Sequence, residues 1–270
     1  MTGERPTPGA TPDSLLALHR AGYRELSRLI DSDLVVDLGC GLGFDSATLT
    51  HLPSNVPGNG PVERVVIGVD YDPGAAIEAY CNHASQGFIA SAMDASRLAF
   101  RAGSLPVVCS SHLIEHFLNP QDHVSEIARV LADDGSAYFL APNAMADFEN
   151  PYHVTSFSKL QLAGLLGQFF DQVWVGGLDG TKTVKEDLSE RRIKGNKLLA
   201  LDLFKLRHKI PRSWYIFSYT KILPLTYRIF AKGDSNGNSG ITSDDFHVTQ
   251  EVDDTTLVLF AIATGPRRIG

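Results

Sequence analysis

The chain has 270 residues, 43% apolar and 20% charged, with a net charge of −7; it is long and apolar enough to bury a core without staples, which excludes a disordered chain. Its three cysteines, Cys40, Cys81 and Cys109, are far apart and form no C-x-x-C pair, which excludes a disulfide framework or zinc knuckle and predicts a reducing, cytoplasmic setting. Charge is uneven: Lys182 to Lys232 holds 13 Lys/Arg against 4 Asp/Glu, leaving 11 against 27 elsewhere, so two surfaces with different tasks are expected.

In chain order, residues 1–12 lack the apolar stretch of a signal peptide and predict a disordered tail. "DSLLALHRAGYRELSRLI" spaces Leu15, Leu18, Tyr23, Leu26 and Ile30 at helical period, with Asp13 or Ser14 as N-cap. Short β-branched runs then alternate with helical patterns: "LVVDL" strand, "FDSATLTHL" helix, "RVVIGVD" strand, "PGAAIEAYCNHA" helix and "GFIASA" strand. The alternation continues with "LPVVCSS" as strand, "PQDHVSEIARVLADDG" as a helix ending at Gly135, "SAYFLAP" as strand, "SKLQLAGLLGQFF" as helix and "DQVWVGG" as strand. Continuous apolar strands separated by helices indicate a parallel sheet covered on both faces.

A last strand, "TTLVLFAIAT", arrives only after about 75 residues, far beyond an ordinary connection. The intervening residues contain two helical stretches, "SERRIKGNKLLALDLFKLRHKI" and "PRSWYIFSYTKILPLTYRIF", and then a flexible "GDSNGNSG". The second stretch is the most apolar long window, but Lys221, Pro224 and Arg228 interrupt it, so no membrane-spanning helix is expected.

The densest chemistry lies in "VVDLGCGLGFDS", Val35 to Ser46. A glycine turn between strand and helix binds either a dinucleotide pyrophosphate or an adenosyl cofactor without phosphates. The dinucleotide pattern G-x-G-x-x-G needs a glycine where Phe44 stands; the glycines are Gly39, Gly41 and Gly43. Asp37, just before the loop, repels a pyrophosphate but favours a ligand carrying an ammonium and a sulfonium, which describes S-adenosylmethionine. At the end of the second strand, Asp70 can accept both ribose hydroxyls. Asp94 can take the adenine amino group, with Tyr71 and Met93 as apolar walls.

"VVDLGCGLG", "VVIGVDYD", "SAMDAS", "VVCSSHLIEHF" and "IARVLADDGSAYFLAPN" together resemble the class I S-adenosylmethionine-dependent methyltransferases, in order and spacing, from about Leu15 to Phe170 and again in the last strand. The resemblance implies an α/β, Rossmann-like three-layer sandwich: a seven-stranded, mostly parallel sheet with an antiparallel last strand, plus a helical insert. It divides the chain into a tail (1–12), a methyltransferase domain (13–177 and 254–266) and a basic helical cap over the acceptor site (178–253). The cofactor residues it implies are Asp37, Gly39, Cys40, Gly41, Gly43, Asp70, Tyr71, Met93, Asp94, Ala95 and the backbone near Ser110.

Acceptor groups are sought after the fourth strand, where "SSHLIEHF" puts His112, Glu115 and His116 within one helical turn, the histidines at i and i+4. Three readings fit it. His116, with His112 beside it, serves as general base, since imidazole titrates near neutral pH. Alternatively the stretch binds a divalent metal, because an E-x-x-E-H segment followed by a later histidine resembles the metal site of small-RNA 2′-O-methyltransferases and ubiquinone-pathway O-methyltransferases. This chain has His112 in place of the first Glu, and the ligand set becomes His112, Glu115, His116 and His153. In the third reading Glu115 and His116 brace the loop and do nothing else.

The expected function is methyl transfer to a hydroxyl of a small-molecule, saccharide or lipid-linked metabolite. The alternatives are N- or C-methylation of a small molecule, or a cofactor-binding regulatory protein without turnover. The insert's aromatics, among them Trp214, Tyr215 and Phe217, suit an apolar or sugar-stacking cavity. Its basic residues suit an anionic substrate or a peripheral membrane contact, and no nucleic-acid partner is expected because no RNA-binding module accompanies the charge.

Overall fold

The computed structural model describes residues 5–6, 11–52, 62–147, 152–199 and 240–268. Its first helix, α1 (Asp13–Leu29), buries Leu18, Ala21 and Leu26 along one face. Pro12 occupies the N-cap position expected for Asp13 or Ser14, and its carbonyl accepts from the amides of Leu15 and Leu16, each at 3.0 Å. Asp13 falls instead in the first turn, where a carboxylate faces the positive end of the helix dipole.

The strands of the main sheet are β1 (Leu34–Leu38), β4 (Val65–Asp70), β5 (Phe88–Ala92), β6 (Leu105–Ser111), β7 (Leu131–Pro142), β8 (Phe170–Gly180), β9 (Phe246–Thr249) and β10 (Val258–Pro266). A two-stranded ribbon, β2 (His51–Leu52) with β3 (Val62–Glu63), stands apart. The eight strands lie in the order β5-β4-β1-β6-β7-β10-β8-β9. From β5 to β7 all pairings are parallel, whereas β10 runs antiparallel to both β7 and β8. The architecture expected from sequence is therefore present, with one strand more than the seven foreseen. The addition is β9, which pairs antiparallel with Gly177 to Gly180 at the sheet edge. Four residues are too few to register as a strand within a stretch that reads as part of the cap.

Helices α2 (Pro73–His83), α3 (Pro120–Val130) and α4 (Lys159–Leu166) complete the layers. The core forms two clusters, and successive residues of a strand alternate between them. Tyr138 and Leu140 join Leu18, Leu26 and Ala79 of α1 and α2, while Phe139 and Ala141 join Val124, Ile127 and Leu162 of α3 and α4. This is the period-2 pattern of a strand buried on both faces, and it explains why these strands read as unbroken apolar runs.

Two helix expectations change. "FDSATLTHL" forms only a 3-10 turn, Ser46–Thr50, before entering the ribbon. Helix α3 stops at Val130 rather than Gly135, because the fully buried Leu131 turns extended and pairs opposite Leu105 in the sheet. Beyond β8, helix α5 (Lys182–Leu199) begins the insert. Residues 200–239, which hold the rest of the first helical stretch, the second one with its aromatics and all of "GDSNGNSG" but Gly240, lie outside the described residues. Among the described residues no helix is long and apolar enough to cross a membrane.

Candidate active site

The glycine loop leaves β1 at the C-terminal edge of the sheet, the end at which open α/β sheets bind ligands. Gly39, Gly41 and Gly43 adopt φ values of 78°, 55° and 79°. All three lie in the left-handed region that side-chain-bearing residues avoid, which accounts for their alternate spacing. The loop is pinned to β4 through Gly39 N–H and Cys40 N–H, which donate to Val69 O at 2.7 and 3.0 Å. The Cys40 side chain is buried against this junction, and burial raises its thiol pKa.

Asp37 is fully buried. Its Oδ2 accepts from Tyr23 Oη at 2.8 Å and from Ser46 Oγ, but its Oδ1 has no hydrogen-bond partner. Burial pushes the carboxyl up to about 7, with hydrogen bonds from Ser46 and Tyr23 opposing the rise and the charge of Asp45 adding to it. A buried carboxylate oxygen without a donor calls for a cationic group. That orphaned oxygen beside a loop of left-handed glycines fits the ammonium end of S-adenosylmethionine.

At the end of β4, Asp70 Oδ2 accepts from Gly41 N–H and its Oδ1 from Asp72 N–H, both at 2.9 Å. Sequence reasoning missed a further partner: Arg5 donates to Asp70 Oδ1 at 2.9 Å and to Asp72 Oδ2 at 3.0 Å. No local signal links residues 5 and 70. Tyr71 is strongly exposed beside Asp70, and Met93 is half-buried, with its N–H on Asp70 O at 3.0 Å. Asp94 is exposed, and its Oδ1 takes both Ser96 N–H (2.8 Å) and Ser96 Oγ (2.7 Å), bonds that hold its carboxyl below the usual range.

Ala95 and Ser110 are joined by His123, another residue not singled out from sequence. Its Nδ1 lies 3.0 Å from Ala95 O and its Nε2 lies 2.9 Å from Ser110 Oγ. A carbonyl only accepts, so Nδ1 carries the proton and Nε2 accepts from the serine. Burial lowers the imidazole pKa to about 4, so the bridge is neutral. Phe117 stacks on the ring with centroids 4.5 Å apart.

After β6, "SSHLIEHF" is not an α-helix. His112 has φ 50°, and Ile114–His116 form a 3-10 turn, so His112 and His116 do not share a helix face. His112 instead packs on His19 with ring centroids 4.4 Å apart, and burial lowers its pKa to about 3. Its Nδ1 lies 3.7 Å from Glu115 Oε1. Glu115, His116 and His153 each offer a ligand atom within 4.8 Å of the others, and His112 is not in that group.

The backbone builds this cluster from two segments. Glu115 O accepts from Val154 N–H (2.9 Å) and Thr155 N–H (3.0 Å), tying the turn to the segment that carries His153. His116 Nδ1 lies 3.1 Å from Tyr152 O, and His153 Nδ1 lies 2.7 Å from Asp147 Oδ2. Both contacts draw the Nδ1 proton, so in each neutral ring Nε2 holds the lone pair. Glu115 is buried, neither of its carboxylate oxygens has a hydrogen-bond partner, and burial raises its pKa.

An eight-stranded, mostly parallel α/β sheet with a glycine loop at β1, an acidic end to β4 and a buried carboxylate facing the loop defines the class I methyltransferase architecture. Residues 36–139 match the family model described as "Methyltransferase domain". That stretch is less than half of the chain, and over it the chain is similar to methyltransferase domains. A probable S-adenosylmethionine-dependent methyltransferase of Mycolicibacterium smegmatis is 25% identical over 173 residues, 62% of this chain and 63% of that relative's length. A methyltransferase structure from Thermotoga maritima superposes with a TM-score of 0.54 at 13% identity, covering 91% of this chain and 90% of the other. The cyclase SpnF superposes at 0.51 and 12% identity, covering 90% and 81%. The structural likenesses establish fold alone, and one of them belongs to a cyclase.

Proposed function

We propose that this protein transfers the methyl group of S-adenosylmethionine to a hydroxyl of a small-molecule, saccharide or lipid-linked metabolite. The observation that carries the reading is the convergence of Glu115, His116 and His153 after β6, which adjoins the β1 strand leading into the glycine loop. The cofactor, when bound, supplies an electrophilic methyl on a sulfonium. In this reading Asp37 pairs with its ammonium, Asp70 with the ribose diol, and Tyr71 and Met93 flank the adenine, whose amino group Asp94 accepts. Gly39, Cys40, Gly41, Gly43, Ala95 and Ser110 shape the wall. His116 removes the acceptor proton through Nε2, its ring held by Tyr152 O. His112 is the weaker base of the two histidines first considered, because burial holds it neutral and unreceptive to a proton.

A second reading is favoured by the same cluster. Two histidines with anchored Nδ1 atoms and a buried carboxylate without hydrogen-bond partners form a suitable donor set for a divalent cation of borderline softness. Asp147 then acts as the orienting partner of His153. A bound cation lowers the pKa of an acceptor hydroxyl and takes over the task assigned to a base.

The basic residues between Lys182 and Lys232 supply the affinity for an anionic or lipid-linked acceptor, and the protein works in the cytoplasm. The test is incubation with deuteromethyl-labelled cofactor and a metabolite extract, followed by mass spectrometry. A labelled O-methyl product in one compound class supports the reading; a labelled amine, or bound cofactor without any product, refutes it. Full activity after exhaustive chelation eliminates the metal reading.

A further inference from the structure

Arg5 lies across the two carboxylates at the end of β4, with its side chain 16% exposed and that of Asp70 10% exposed. Its aliphatic stem runs over the glycine loop: a Cβ placed on Gly41 would stand 3.7 Å from Arg5 Cγ and Cδ. An ionised carboxylate offers about four lone-pair sites. Asp70 has already committed three, to Gly41 N–H, Asp72 N–H and Arg5. Without Arg5, one acceptor site remains on each oxygen, the arrangement a vicinal diol requires. With Arg5 docked, only one is left, and the guanidinium stands where the sugar would approach.

We infer that the Arg5 side chain is a strap, whose docking on Asp70 and Asp72 and the binding of the cofactor's ribose exclude one another. The inference rests on Asp70 as the ribose-binding residue. It makes the apparent cofactor affinity depend on how often Arg5 lets go, since affinity falls in proportion to the competent fraction. Both pairs are charge-assisted hydrogen bonds only partly shielded from solvent, so their docking is reversible and weakened by salt.

The test is calorimetric titration of the full chain with S-adenosylhomocysteine, using the parent, Arg5→Ala and Asp70→Asn. If the strap is docked about nine-tenths of the time, Arg5→Ala binds about tenfold more tightly than the parent. Raising the salt then tightens binding to the parent more than to Arg5→Ala. Unchanged or weaker binding by Arg5→Ala, with Asp70→Asn strongly impaired, overturns the strap while keeping Asp70 on the ribose. Unimpaired binding by Asp70→Asn overturns the ribose assignment itself, and the strap with it. A second readout is the Nε–H resonance of Arg5 in nitrogen-15-arginine-labelled protein, assigned by its loss in Arg5→Ala. It shifts towards the solvent-averaged position when the ligand is added; an unmoved resonance overturns the strap.

Discussion

Replacing Asp37 with Asn keeps the side chain's shape and both of its acceptor contacts, with Tyr23 and Ser46, but removes the charge. The carboxyl moves from 3.8 to about 7 on folding. Between these values the folded protein holds a proton that the unfolded chain releases, so the group lowers stability as pH rises through that window and no further above it. The full penalty is about 4 kcal/mol. Asp37→Asn without ligand is therefore more stable than the parent by about that amount at pH 8.5, a rise of ~8 °C in melting temperature at about 2 °C per kcal/mol. At pH 4.5 the advantage shrinks to ~1 kcal/mol. Binding moves the other way: the variant loses the buried partner of the ligand's ammonium and binds S-adenosylhomocysteine ~100-fold more weakly. Binding to the parent tightens as pH rises through about 7, where Asp37 ionises, and binding to the variant does not. Thermal denaturation at the two pH values, with and without ligand, checks both halves. An equal stability gain at both pH values refutes the argument, as does undiminished affinity of the variant.

His116→Ala lowers turnover of the identified acceptor by about 10²- to 10⁴-fold in steady-state kinetics, with S-adenosylhomocysteine affinity unchanged by calorimetry. Glu115→Gln, which removes a buried charge lacking hydrogen-bond partners, raises the melting temperature of the metal-free protein at pH 8. Gly43→Ala places a side chain at φ 79° with its Cβ 3.0 Å from His83 Cδ2; it costs about 1–2 kcal/mol in denaturant unfolding and weakens cofactor binding. His123→Ala leaves Ser110 Oγ and Ala95 O without their shared bridge, and urea unfolding registers a loss of about 2–4 kcal/mol.

The amino-acid order alone determined the layers and the glycine loop. Strands buried on both faces show as apolar runs, helices between them as longer periods, and the left-handed backbone of the loop as glycines at alternate positions. These signals are local, arising from burial and backbone sterics within a few residues. The position of Asp37 was likewise readable, but its orphaned oxygen was not, because Tyr23 and Ser46 reach it from different elements.

Tertiary structure decided whatever depends on distant segments meeting. Leu131 leaves its helix because a site opposite Leu105 buries it completely, and β9 becomes a strand because β8 has an open edge. The cluster after β6 takes Glu115 and His116 from one segment and His153 from another, joined by backbone hydrogen bonds that leave no trace in side-chain pattern. His112 looked equivalent to His116 by helical spacing, yet a left-handed backbone turns it against His19. Arg5 reaches Asp70 across a separation of 65 residues. Charge and hydrogen-bonding capacity are written in the residue types, but which group satisfies which is settled only when the chain closes on itself.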